Sequence, residues 1–122
     1  MPIPTSARPF YEDAIYLPML LVVLERDRAE IEVGEFKFKN PYLKIIEQVE
    51  KRVKENLKQT NACFRQNRMK LIKVGSDRDF TEYQFVYGSH QENRRYSNIR
   101  LRNRTEELMS EYFAGDFIAQ NL

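Results

Sequence analysis

The stretch that decides the fold is NPYLKIIEQVEKRVKENLKQTNACFR, residues 40–65. Asn40-Pro41 is a helix start, with a side chain that can cap free backbone N–H groups and a ring already set at a helical φ. Beyond it Leu43, Ile46, Val53, Leu57 and Phe64 recur at spacings of three, four or their sums, and Ile45 and Val49 broaden the stripe. That period predicts an amphipathic helix over residues 41–66. Glu47 with Lys51 and Glu50 with Lys54 are placed to pair one helical turn apart, worth a few tenths of a kcal/mol each, ~0.2–0.5. Glu50 and Thr60 fall on the apolar seam, which argues for a helix packed in a bundle rather than a long zipper.

On the N-terminal side, three prolines (Pro2, Pro4, Pro9) predict an extended arm over residues 1–9. A helical pattern runs from Tyr11 to Ile31. Pro18 sits inside it and disfavours helix at Leu17, so the main helix is expected to start at Pro18. Leu17, Leu20, Leu21, Leu24 and Ile31 share one face, and Met19, Val22 and Val23 extend the apolar surface almost all the way round. Gly34 ends this helix. Glu35-Phe-Lys-Phe-Lys39 then alternates as a strand does, Phe36 and Phe38 on one side and Lys37 and Lys39 on the other.

On the C-terminal side, Lys70–Val74 reads as a strand, Gly75-Ser-Asp77 as a turn, and Phe80–Tyr87 as a second strand rich in aromatic residues. Gly88–Asn93 reads as a polar loop and Tyr96–Leu101 as a third strand, which puts an antiparallel three-strand meander within residues 69–102. Thr105 is the expected cap of a short helix over residues 105–114, with Leu108, Met109, Tyr112 and Phe113 as its apolar face. Gly115 ends it, and Phe117, Ile118 and Leu122 are expected to fold back onto the core. The expectation is an α+β fold in a single domain, residues 1–122: N-terminal helix, long central helix, meander, short C-terminal helix.

A chain of 122 residues supports one compact core and not two. One Cys and one His cannot make a disulfide framework or an ordinary Cys/His zinc site. The longest apolar run, Ala14–Leu24, is interrupted by Pro18 and falls short of the ~20 residues that a bilayer requires. No signal peptide or lipidation motif is evident. A cytoplasmic, intracellular location without membrane attachment follows as the expectation.

The net charge of +2 conceals a segregation. Residues 1–35 hold three cations and seven anions, residues 36–104 hold 17 cations and seven anions, and residues 105–122 hold four anions and no cation. The net charges are therefore −4, +10 and −4. Either the basic middle packs against the acidic ends, within or between chains, or it offers a surface to nucleic acid. On the second reading Arg94, Arg95, Arg100 and Arg102, supported by Lys70, Lys73 and Tyr96, line a basic and aromatic sheet face on which single strands stack. That requires Tyr83, Phe85 and Tyr87 to be exposed with them, and the strand register is open at this point.

The candidates for catalysis are sparse. Ser89, His90 and Glu92 share one polar loop, where nucleophile, base and orienting group would have to converge. Asp77, Asp79 and Glu82 could hold a divalent cation but lack calcium-loop spacing, and turn chemistry accounts for the aspartates equally well. Glu35-Phe-Lys37, after the acidic Asp27, Glu30 and Glu32, has an acid-x-Lys spacing suited to metal-dependent nuclease chemistry, without the central sheet expected around such a site. Cys63 is placed as a small buried hydrophobe. No phosphate-binding loop is present, and neither a cofactor nor a small-molecule substrate is indicated.

The expected function is non-enzymatic: an adaptor acting through a protein partner and by self-association. Met19, Leu20, Val23, Leu24, Ile46, Val53 and Leu57 are its expected interface. Nucleic-acid binding is the alternative, and metal-dependent hydrolysis comes third.

Overall fold

The computed structural model describes residues 3–115 and has the α+β architecture. A single turn of 3-10 helix over Thr5–Ala7 leads into α1 (Arg8–Val33), and α2 (Lys39–Gln66) follows. Three strands, β1 (Met69–Ser76), β2 (Phe80–Tyr87) and β3 (His90–Ser97), form an antiparallel sheet in the order β1-β2-β3. Helix α3 (Asn98–Phe113) closes the fold. The expected docking of Phe117, Ile118 and Leu122 lies outside the described residues.

The central prediction holds to within two residues at each end of α2, which buries Ile46, Val49, Val53 and Thr60. Its start is shifted: Phe38, not Asn40, flanks the first turn, and Pro41 falls within that turn, where a missing N–H costs no hydrogen bond. The seam residues that argued against a zipper are satisfied internally. Thr60 donates its hydroxyl to the Asn56 carbonyl, and Glu50 accepts a 2.8 Å bond from Arg28 Nε across the helix pair.

The first helix departs from the expectation. Residues 1–9 are not an extended arm throughout, because α1 begins at Arg8 and takes Pro9 into its first turn. Nor does the helix begin at Pro18. It passes through that residue, whose ring is exposed. Tyr11, Ile15, Tyr16 and Leu17 before it and Leu20 and Leu24 after it are buried in the same core. Burial on both sides outweighs the one backbone bond that proline deletes, about 3 kcal/mol in an isolated helix interior. Residues 35–39 form no strand: residues 34–38 connect α1 to α2, Lys39 opens α2, and among the described residues no strand lies beside them to pair with.

The meander ends at Ser97, not Arg102. β2 and β3 are joined by the two-residue turn Gly88-Ser89, with Gly88 at φ 58°, so the polar residues His90–Asn93 belong to a strand rather than a loop. The chain turns into α3 because the Ser97 hydroxyl accepts the Arg100 N–H at 3.0 Å, eight residues ahead of the expected cap at Thr105.

Tyr83 lies opposite Arg94, and Phe85 lies opposite Leu71 on one side and Glu92 on the other. This register turns Tyr83 and Phe85 inward. Phe85 stacks on Tyr11 of α1 with ring centroids 4.4 Å apart and planes within 2°, and the Tyr11 hydroxyl donates to the Val86 carbonyl. Such a pair adds ~0.5–1.5 kcal/mol beyond the area that it buries. Burial, with Tyr87, Cys63 and Glu92 adding to it, pushes the Tyr11 hydroxyl up to about 12. Helix α1 is thus the centre of the molecule, with α2, the sheet and α3 packed around its first seventeen residues. Among the described residues no helix is long and apolar enough to cross a membrane.

Candidate functional site

The seven residues of the expected nucleic-acid surface do not come together. Arg94 and Tyr96 lie on the inward side of β3: the Arg94 guanidinium is 5.5 Å from the Phe85 ring, and Tyr96 meets Tyr83 edge-on at 6.0 Å. Arg95 points to the open side, over Phe80 at 4.3 Å. Lys70 shares that open side, opposite Val86, whereas Lys73 pairs with Tyr83 at the exposed end of β1, just before an irregularity in the pairing. Arg100 and Arg102 belong to α3 and not to a strand. The aromatic face that single strands would need is therefore interior.

The expected protein interface divides as well. Leu20, Leu24, Ile46 and Val53 are in the chain's own core, and Leu57 packs against it. Met19 and Val23 stay accessible, and here the structure adds something. They form one wall of an apolar groove between α1 and α3, with a volume of about 570 Å³. Leu101 and Thr105 supply the floor, Met109 the far wall, and Arg102 and Glu106 the rim.

The local sequence explains the groove. Once α3 starts at Asn98, Leu101, Thr105, Leu108 and Tyr112 fall on one face at spacings of four, three and four, and all are buried. Thr105 turns its hydroxyl onto the Leu101 carbonyl at 2.7 Å, so a polar residue sits in an apolar floor without an unmet bond. Asn98 fixes the end of the groove: its amide donates to the carbonyls of Asp77 and Arg78 and its oxygen accepts from Thr81, tying the β1–β2 turn to the start of α3. Sequence reasoning missed Leu101, Thr105 and Met109 as a set because it placed Leu101 in a strand.

The catalytic candidates are engaged otherwise. Asp77 Oδ1 accepts the N–H groups of Asp79 and Phe80, both at 2.8 Å, and these bonds hold its carboxyl below its ordinary range. That is the turn chemistry of an aspartate. His90 and Ser89 are exposed at the β2–β3 turn. Cys63 is half-buried against the core, and Asn67 donates to its Sγ. Among the described residues no group of three or more His, Cys, Asp or Glu side chains is placed to hold a metal ion. On the far side of α1, burial first and then Glu12 raise Asp13 above its ordinary value, while Arg104 opposes them.

Residues 2–117 match the family model described as YhjD protein. The chain belongs to the YhjD family. It is also 35% identical over 106 residues to the "Uncharacterized protein YhjD" of Bacillus subtilis (strain 168), a match that covers 86% of this chain and 88% of that relative. No solved structure matches. The YhjD match includes both walls and the floor of the groove, so the site lies within the family's shared region and not in an appendage.

Proposed function

We propose that this protein is a non-enzymatic binding protein whose α1–α3 groove takes an amphipathic helix from a protein partner. The observation that carries this reading is the groove's lining: five side chains present apolar surface, two of them methionines, under a rim with one cation and one anion. Methionine adapts its shape to the side chain it meets. A helix laid in such a groove anchors through residues at i, i+3, i+4 and i+7. Arg102 and Glu106, one turn apart on α3, select an acid and a base at matching spacing on the incoming helix. The non-catalytic part is supported by Asp77 being committed to its own turn and by His90 lying exposed at the β2–β3 turn. A cytoplasmic location belongs to the same proposal and rests on the lone thiol.

Selection of a helical peptide library on the immobilised protein tests it. We expect recovered peptides to share the i, i+3, i+4, i+7 apolar spacing, to lose at least about tenfold in affinity against Val23→Glu, and to change charge preference against Arg102→Glu. Peptides that bind Val23→Glu as well as the native protein, or no enrichment at all, would refute it.

A further inference from the structure

Beyond the core, α1 and α2 continue as a two-helix hairpin, and its end has the wrong surface for a solvated tip. Val33 is 83% and Phe38 67% exposed, while Phe36, Tyr42 and Ile45 are each about half exposed. The tip is nonetheless built. Lys39 Nζ donates to the Glu32 carbonyl at 2.9 Å, closing the connection. The Phe36 ring folds back over Gly34 and lies 5.7 Å from the Tyr42 ring. A Cβ at Gly34 would come within 2.6 Å of the Phe36 ring, so a glycine is what lets that ring lie there. Five large apolar side chains within thirteen residues are held outward on an ordered scaffold, the signature of a contact surface.

The charges around them identify the occupant. Residues 25–35 on the α1 arm carry five acids and two arginines, a net of −3, and residues 36–46 on the α2 arm carry three lysines and no acid, a net of +3. An anionic membrane or a nucleic acid would meet the acidic arm at the same time as the lysines. A second copy of the tip, related by a two-fold axis, sets each acidic arm against the partner's basic arm and closes the apolar residues between them, since a two-fold interface must be self-complementary. We infer that the hairpin tip is a self-association surface and that its partner is the same tip of a second chain. This is independent of the groove, which lies on the other side of Leu24 from the tip.

Sedimentation equilibrium from micromolar to submillimolar concentration tests it, with circular dichroism to confirm that each variant folds. We expect a monomer–dimer equilibrium that weakens with salt, and at least about tenfold weakening in Val33→Glu and in Phe38→Glu. Glu30→Lys and Lys44→Glu should each weaken self-association, and mixing the two variants should restore a heterodimer. Val23→Glu, in the groove, should dimerise as the native chain does. A strict monomer throughout, a dimer unaffected by Phe38→Glu, or no recovery on mixing the charge variants would overturn the proposal. So would phosphatidylglycerol vesicles that pellet the chain through this tip while it remains monomeric in solution.

Discussion

The same two helices are built in two different ways along their length. Over Tyr11–Leu24 of α1 and Val49–Phe64 of α2, most apolar side chains meet a sheet and a third helix and join one core, with Val22 and Val23 left exposed. Over residues 25–45 the helices have only each other, and Val33, Phe36, Phe38, Tyr42 and Ile45 face outward. Both halves carry large apolar side chains, residues 25–45 fewer of them, and the halves differ in the number of layers packed around them. Burial here is set by what topology brings over a helix face, and α3 and the sheet reach only the first half of α1. What is core at one end of the hairpin is a contact surface at the other.

The comparison breaks most severely at the packed end. Phe85→Ala removes the stack on Tyr11 and leaves a cavity at the centre of the core; we expect a loss of about 3–5 kcal/mol in urea unfolding, enough to leave the domain largely unfolded. A loss below about 1 kcal/mol would mean that the core is not where it is described. The next effect lies at the junction between the two halves, where Arg28 meets Glu50. Glu50 is buried and Arg28 is not, so the two deletions should be unequal. Arg28→Ala strands a carboxylate away from water, whereas Glu50→Gln leaves an arginine that water can solvate. The melting temperature should fall further for the first, and equal shifts would argue against the burial difference.

Pro18 gives a prediction of opposite sign. Because α1 continues through an exposed proline, Pro18→Ala should restore a backbone bond and stabilise the protein by about 1–2 kcal/mol. Destabilisation would show that a bend at Pro18 is required by the packing. The smallest effect belongs to the tip, where Val33→Glu and Phe38→Glu should change the stability of the monomer by no more than ~0.5 kcal/mol while altering self-association. A large loss of monomer stability would place these residues in the core after all.

How far the sequence could be read follows the same division. The period of residues 41–66 and the cluster of β-favouring residues at 80–87 were sufficient for the long helix and the middle strand, since both bury a face continuously. β3 was harder because it is an edge strand whose His90–Asn93 run is polar, and nothing local separates such a strand from a loop. The Phe36 and Phe38 alternation imitated a strand where topology supplies no partner. Pro18 misled because its local cost is visible in sequence and the burial that offsets it is not. The groove depended on all of this: Met19 and Val23 were legible as apolar surface, but Leu101, Thr105 and Met109 join them only if α3 begins at Asn98, a point decided by the Ser97 cap. The residues of the expected basic sheet face were divided by two things that the sequence left open: the register, which turns Tyr83 and Phe85 inward, and the start of α3 at Asn98, which takes Arg100 and Arg102 out of the sheet.

Amide hydrogen exchange along α1 and α2, followed from dilute to concentrated protein, tests the division most directly. We expect amides of Tyr11–Leu24 and Val49–Phe64 to exchange slowly at every concentration, and amides of residues 25–45 to exchange quickly when dilute and become protected as the chain self-associates. Uniform protection along both helices, independent of concentration, would contradict both the two-part construction of the hairpin and the role proposed for its tip.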